Sequence, residues 1–376
     1  MRYRKQRGFT QKTLLIANII VAASLLISYS ASFIDPNIFW PIAFFGLAFL
    51  PLLLLNLLFI IYWVFISPKY ILISLLAVLT GWSLLTKHYK LDIAKPTGNE
   101  FEIPKKGSNF RVMSFNAHLL KPINEQDSID FLDELITIIK DIEPDIISFQ
   151  EFYTKGDSQA NALNSIKAKG EFSDYFFDVV SKNNSDAYGQ IIFSKHPIIH
   201  SGTVAEHNYG INRISYADIV RATDTIRIYN VHLRSFALQN EDKEFFQRLA
   251  QSELNEKKPK NLSKKLKVAF NHRGQQARAL KNHIEETDSI STVVMGDFND
   301  TPMSYAVNLI SNGMNNAFQK KGRGWGVTHF DLLPIFQIDY ILSSIDLEVV
   351  NYQIIKKKLS DHYPLWADLK PAKKTN

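Results

Sequence analysis

The segment Val293-Val294-Met295-Gly296-Asp297-Phe298-Asn299-Asp300 brings a carboxylate and a carboxamide, two residues apart, to the end of an apolar run. Side chains alternate faces on a strand, so Asp297 and Asn299 share a face and Phe298 turns to the core. Alone, the pattern equally describes a strand closed by an Asx turn. Repetition separates the two readings. Five apolar runs end in or adjoin polar groups: Asn116, Glu151, Asn230 with His232, Asp297 with Asn299, and Asp339. The pair Asp361-His362 adds a sixth cluster. In layered α/β folds, sites gather at strand ends.

These residue types define a chemistry. Hard oxygen donors with few carboxylates, Asn116 and Glu151 among them, suit Mg²⁺ or a similar ion that keeps several waters and takes substrate phosphate oxygens. The chain has no Cys, which excludes disulfides, thiolate metal sites and Cys nucleophiles. No His-x-x-x-His pair suggests zinc. His232 and His362 are histidines among oxygen ligands, suited to moving protons near neutral pH. An Asp beside a His holds its tautomer and stabilises its cation. Metal, acid, base and carboxamide donor together describe phosphoester hydrolysis. His118, His196, His200, His207, His272, His283 and His329 have no motif partner and read as surface or core residues. The loop Gly322-Arg323-Gly324-Trp325-Gly326 lacks a Walker lysine and is not a nucleotide loop.

The elements that must position these groups follow from periodicity. Residues 110–116 read as a strand, 128–141 as a helix capped by Ser128, and 146–151 as a buried strand. Strand, helix, strand is a crossover unit. Residues 188–194 form another strand, and 214–231 a hairpin turning at 222–225. Residues 236–282 are mostly helical, with a lysine-rich stretch from Lys257 to Lys267 that reads as a solvated face. Strands then return at 293–299, 338–342 and 364–369.

The first 95 residues differ in kind. Of the 376 residues 46% are hydrophobic, yet charge is concentrated after residue 86. The formal net charge of +6 does not by itself indicate nucleic acid. Arg2, Arg4, Lys5, Arg7 and Lys12 precede uncharged runs at 14–34 and 38–66, and a third apolar run covers 70–85. A span takes roughly 20 apolar residues, so three transmembrane helices are expected, with Pro41 and Pro51 available to kink the second. The basic N-terminal cluster places that end in the cytoplasm and the rest of the chain outside, as a multi-pass, periplasmically exposed protein. Ser30-Ala31-Ser32 also has the form of a signal-peptidase site. A polar tether, residues 87–108, leads to a second domain, giving a division into 1–95 and 96–376.

The ordered pieces Ser114-Phe115-Asn116, Gln150-Glu151, Tyr188-Gly189 through Pro197, Asn230-Val231-His232-Leu233, Gly296-Asp297-Phe298-Asn299, Ile338-Asp339-Tyr340 and Ser360-Asp361-His362 resemble the endonuclease/exonuclease/phosphatase superfamily, with its deoxyribonuclease I-like fold. The resemblance covers about residues 108–370. It implies a four-layer α/β sandwich of two packed mixed sheets flanked by helices, with the site at one end. It implies Glu151 as principal metal ligand with Asn116 and Asp361, and Mg²⁺ or Mn²⁺ as cofactor. It implies Asp297 on the attacking water, Asn299 on phosphate, Asp339 paired with His362, and His232 at the leaving oxygen. For His362 it leaves two roles open, general base or electrophilic phosphate contact. The Asn-x-His-Leu motif resembles the deoxyribonuclease, sphingomyelinase and phosphatase branches more than abasic-site endonucleases. The expected partners are a lipid bilayer and a phosphoester, either nucleic acid or phospholipid. The alternatives are a phosphomonoesterase and a non-catalytic domain that binds a phosphorylated ligand. No protein partner is inferable.

Overall fold

The structure, a computed structural model, describes residues 2–91, 109–120, 131–155, 161–183, 186–239, 241–242, 261–287, 289–331 and 335–372. Ser128, most of the tether, the boundary at residue 96, and Lys257, Lys258 and Lys260 lie outside the described residues.

Two six-stranded mixed sheets pack face to face. Ahead of them in the chain come helices α1 (Arg2–Tyr29), α2 (Pro36–Phe39), α3 (Pro41–Leu47) and α4 (Phe49–Ile66). Helices α5 (Ile71–Thr80) and α6 (Trp82–Leu85) and the short strand β1 (Tyr89–Lys90) follow. The first sheet then uses β2 (Phe110–Asn116), β3 (Ile146–Lys155), β4 (Asp174–Lys182) and β5 (Asp186–Ser194). The second uses β6 (Ile198–Thr203), β7 (Ile214–Arg221), β8 (Asp224–His232), β9 (Ser291–Asp297) and β10 (Met314–Asn316). A two-residue strand β11 (Gly324–Trp325) precedes β12 (Asp339–Ser344), while β13 (Leu347–Ile354) and β14 (Leu365–Pro371) return to the first sheet. The orders are β13-β14-β2-β3-β5-β4 and β10-β12-β9-β8-β7-β6. Each sheet holds one parallel pair, β2 with β3 and β8 with β9.

Each parallel pair has a helix in its connection. Helix α7 (Phe131–Ile142) lies between β2 and β3 and buries Leu135, Ile136, Ile139 and Ile142. Asp133 and Glu134 in its first turn and Lys140 in its last match the helix dipole. It stops where Glu143 turns left-handed, at φ 52°, ahead of Pro144. After the short α8 (Ala162–Lys169), the long α9 (Leu262–Glu285) lies between β8 and β9.

Strand alternation divides the core in three, and Tyr229, Val231, Val294, Tyr340 and Leu342 pack the outer face of the second sheet against Ala277 and Leu280 of α9. Met113, Phe115, Ile147 and Phe149 pack outward against α7. Phe110, Val112, Ile146, Ile226, Ile228, Val293, Met295 and Ile341 fill the space between the sheets. The period of two then carries each inter-sheet row forward to Asn116, Gln150, His232, Asp297 and Asp339. The site groups therefore emerge from between the sheets, all at one end.

The N-terminal region corrects one expectation. Among the described residues two helices, not three, have the length and apolarity to cross a bilayer: Gly8–Ser32 and Phe49–Ile66. The third apolar run is interrupted. It starts in a 3₁₀ turn, Pro68–Tyr70, and Gly81 divides the rest into the ten-residue α5, Ile71–Thr80, and the four-residue α6. Ten residues rise about 15 Å, half of the roughly 30 Å hydrocarbon layer. The prolines start helices rather than kink one: Pro41 is the first residue of α3 and Pro51 lies in the first turn of α4. Buried Asn18 ties the three helices, donating to Ser74 Oγ (2.6 Å) and accepting from Trp63 Nε1 (2.8 Å).

Candidate active site

Glu151 reaches the site through a defect in its strand. The β3–β5 register shifts between Phe149 and Phe152, and Glu151 adopts φ 50°. A left-handed carboxylate residue at a bulge is strained, and the bulge re-aims its side chain. Gly296 serves the neighbouring strand. Its φ is 143°, and a Cβ there would lie 2.0 Å from the Val231 carbonyl oxygen. Only glycine lets β8 and β9 approach closely enough to bring His232 alongside its register partner Asp297.

A layer of buried carboxamides and hydroxyls supports these groups. Gln150 Nε2 donates to Asn230 Oδ1 across the sheets, at 2.7 Å. Asn230 Nδ2 donates to the carbonyls of Phe149 (2.9 Å) and Ile191 (3.2 Å). Asn230, one of the strand-end groups, is thus a cross-sheet tie and lies beneath the site. Ser215 Oγ donates to Gln190 Oε1 in the same way.

Asp297 is the hub. Its carboxylate accepts from Asn116 Nδ2 (3.0 Å), Asn299 N (2.7 Å) and Asn299 Nδ2 (3.0 Å). Burial raises its pKa, opposed by the charge of His362. Asn299 donates from the same amide to the Leu233 carbonyl, so both its amide hydrogens are engaged. Phe298, between them, is fully buried, as alternation requires.

Asp339 is the register partner of Asp297 across β12 and β9 and reaches His362 Nδ1 at 2.9 Å. This orientation fixes Nδ1 as the donor and leaves Nε2 facing the site, 3.8 Å from Asp297 Oδ2. Burial opposes charge on His362, but Asp339, Asp297 and Asp361 outweigh it and raise its pKa to about 10.

His232 is buried across the cleft, with Nε2 3.7 Å from Asp297 Oδ2 and 3.8 Å from Glu151 Oε1. Burial pushes its pKa down to about 4, against the charge of Asp297. The orientation of Asn212 sets the tautomer. Its Nδ2 donates to the Leu233 carbonyl and lies 3.2 Å from His232 Nε2, which therefore accepts.

Two histidines read as surface or core residues belong here instead. His118 Nδ1 lies 3.6 Å from Asp361 Oδ1 and 3.9 Å from Glu151 Oε2. His329 Nε2 lies 3.7 Å from Asp361 Oδ2, and its ring packs edge-on against His362. Burial opposes ionisation of Asp361, but His329, His362 and His118 hold its carboxyl well below the ordinary range. His118 sits just past the Asn116 strand end, a position that could have flagged it; His329 arrives on a loop without motif.

The donor set fits a hard divalent cation. Glu151 and Asp361 border one spot beside His118, and Asp361 Oδ1 is buried without a hydrogen-bond partner. Asn116 Oδ1 accepts from His118 N and keeps a lone pair. His329, Asp361 and His362, and separately Asp297, Asp339 and His362, present ligand atoms within 4.8 Å of one another. Hard oxygens with water and substrate completing the shell suit Mg²⁺-like ions.

Fold and site together define a four-layer α/β sandwich with carboxylates, carboxamides and histidines gathered at one end. The chain belongs to the endonuclease/exonuclease/phosphatase family, whose model matches residues 113–362. Members of that family are phosphoester hydrolases, generally dependent on a divalent metal. A second model, Domain of unknown function (DUF8431), matches residues 11–88. Among solved structures, an endonuclease/exonuclease/phosphatase from Bacteroides vulgatus is 20% identical, with TM-score 0.52, over 71% of this chain and 100% of its own. One from Beutenbergia cavernae is 15% identical, with TM-score 0.51, over 71% and 72%. A family protein from Bacteroides thetaiotaomicron is 15% identical, with TM-score 0.50, over 70% and 98%. At these identities the likeness is one of fold. No curated protein sequence matches the chain.

Proposed function

We propose that this protein is a membrane-anchored, divalent-metal-dependent phosphoester hydrolase. The observation that carries this reading is the convergence on Asp297 of Asn116, Asn299, His232 and His362, with Glu151 and Asp361 flanking it. Glu151, Asn116 and Asp361 would hold the metal, which when bound neutralises phosphate charge as a Lewis acid. Asp297, fixed by three hydrogen bonds, orients the attacking water and takes its proton. His362 presents Nε2 to a phosphate oxygen while Asp339 stabilises the imidazolium. His232 becomes a donor to the leaving oxygen once protonated, a state that Asp297 and Glu151 stabilise. Asn299 holds the Asp297 carboxylate in place with its backbone N–H and its side-chain amide.

Anchoring is supported by the surfaces of the long helices. Ile16, Ile20, Leu54, Leu58, Ile61 and Phe65 are exposed, whereas a soluble core helix would bury such residues. We place the basic N-terminal cluster in the cytoplasm. Ala31 and Ser32, within the signal-peptidase-like motif, are buried in contact with the catalytic domain, which favours an uncleaved anchor.

The test uses the purified full-length chain. Hydrolysis of bis(p-nitrophenyl) phosphate stops in EDTA and returns with Mg²⁺ or Mn²⁺, and bound Mn²⁺ is seen by its paramagnetic spectrum and lost in Glu151→Gln. Full activity in chelator would end the metal-dependent reading.

A further inference from the structure

Three loops of the second sheet carry site residues, and all three meet the N-terminal region, directly or through α9. The loop after His232 packs Phe236 and Leu238 onto the Leu262, Leu266 and Phe270 cluster of α9, the same cluster that Ala43, Phe44 and Leu47 of α3 cover. The loop after Asp297 and Asn299 buries Met303 among Ala22, Leu25, Phe49, Leu53, Ala77 and Val78. The Met303 carbonyl accepts from Ser32 Oγ at 3.2 Å. A Cβ at Gly46 would lie 3.3 Å from the same carbonyl and 2.7 Å from Ala31 Cβ, so the backbones meet closely. The loop before His329 pairs β11 with β1, and Gly326 N donates to the His88 carbonyl at 3.0 Å. Two further ties join α9 to the anchor: Arg278 to Asp35, and Asn37 Nδ2 to the Asn271 carbonyl.

These contacts fall at one end of the helices. Ser32 closes the first apolar helix, Phe49 opens the second, and the Ala77-Val78 contact lies near the end of the third. Beside them, Phe33, Ile38, Phe39 and Trp82 are exposed at 75%, 84%, 53% and 58%, as suits residues at the level of lipid headgroups. Met303 is six residues beyond Asp297, which limits their separation to about 20 Å even for an extended chain. A free tether would let the domain tumble. Attachment through three site-bearing loops instead holds the cleft at a fixed orientation, its second-sheet rim against the bilayer surface.

We propose that the substrate is a phosphoester carried in the headgroup layer of the bilayer, taken from the membrane plane. This rests on the reading of the protein as an anchored phosphoester hydrolase. A nucleic acid is the rival. It would have to enter beside a surface whose anionic lipids repel a polyanion, and the rim nearest the membrane is the one formed by the loops of His232, Asp297 and His329.

The experiment reconstitutes the full-length chain in vesicles of phosphatidylcholine, phosphatidylethanolamine and phosphatidylglycerol with Mg²⁺, with Glu151→Gln as the blank. Parallel arms offer bis(p-nitrophenyl) phosphate, dihexanoyl phospholipid below its critical micelle concentration, and plasmid DNA. The expected result is release of headgroup or phosphate from vesicle lipid, at least tenfold faster than from the soluble short-chain lipid, with DNA intact. Hydrolysis of the soluble reporter with untouched vesicle lipid, or preferential cleavage of DNA, overturns the proposal and leaves the hydrolase reading standing. Inactivity in every arm removes both.

Discussion

Replacing Asp339 by Asn isolates one interaction at the centre of the site. The carboxylate lies 2.9 Å from His362 Nδ1, and both groups are buried. Burial alone would lower the His362 pKa, yet three carboxylates led by Asp339 carry it from the ordinary 6.5 to about 10. That rise corresponds to roughly 5 kcal/mol favouring the imidazolium, at about 1.36 kcal/mol per unit. If Asp339 supplies half, its loss costs the cation about 2–3 kcal/mol, or roughly 10²-fold in rate. Misassignment of the tautomer would add to that loss, within the range of about 10²–10⁴ for acid–base groups. The fold should survive, because Asp339 N still donates to Thr328 Oγ1 and the pairing with Asp297 is backbone. Steady-state hydrolysis of a soluble phosphodiester by the full-length chain should show the loss in kcat with KM little changed. Combined with His362→Ala, Asp339→Asn should add almost nothing, since the two act as a unit. In the metal-free chain the raised pKa stabilises the fold fully below pH 6.5, and that contribution disappears as pH rises through about 10. Asp339→Asn should flatten this dependence. Turnover within threefold of wild type would refute the pairing as a catalytic device.

Three further outcomes follow from the packing. Asn230→Ala removes the side-chain donor to two buried carbonyls and one of the two acceptors of the Gln150 amide, which keeps Ser114 Oγ, and should lower the unfolding free energy by about 2 kcal/mol in a denaturant titration, at about 1–3 per group left unsatisfied. Arg111→Leu leaves buried Asp368 without its bidentate partner at 2.8 and 3.0 Å, and should cost about 3–5 kcal/mol in the same titration. His88 is buried against Phe49, and burial with Lys87 lowers its pKa to about 3 from 6.5. Its contribution is therefore intact above pH 6.5 and is lost as pH falls towards 3, by up to about 5 kcal/mol. Hydrogen exchange at residues 86–91 and 324–326 should quicken over that window in wild type and not in His88→Phe.

Much of the candidate site's placement was legible because strands translate spacing directly into geometry. A two-residue period carries the row of Val293 and Met295 into Asp297, and that of Ile226 and Ile228 into Asn230 and His232. The helix over 131–142 was legible for the same reason, from its apolar face and its Pro144 stop. What escaped has no period. His329 sits on an irregular loop, and Arg273, buried 3.4 Å from Asp300, looks like any helix-surface arginine in the sequence. Asn230 has the residue type of a site group, and only the cross-sheet partner Gln150 reveals it as a support. The third apolar run kept its hydropathy but lost its length to Gly81, which divides it between α5 and α6. Hydropathy registers composition and not the backbone break. The junction of the N-terminal helices and the domain was illegible because it is made by single residues, Ser32, Asp35, Gly46 and Met303, far apart in the chain.

The most direct test of the account is the rate at which the full-length chain hydrolyses bis(p-nitrophenyl) phosphate in Mg²⁺, measured beside Glu151→Gln and Asp297→Asn, which keeps an acceptor for the Asn116 and Asn299 donors. One centre built from both sheets predicts that each substitution lowers turnover by roughly 10²-fold or more while the thermal melt stays near that of wild type. Wild-type turnover in either variant, with the fold intact, would contradict it.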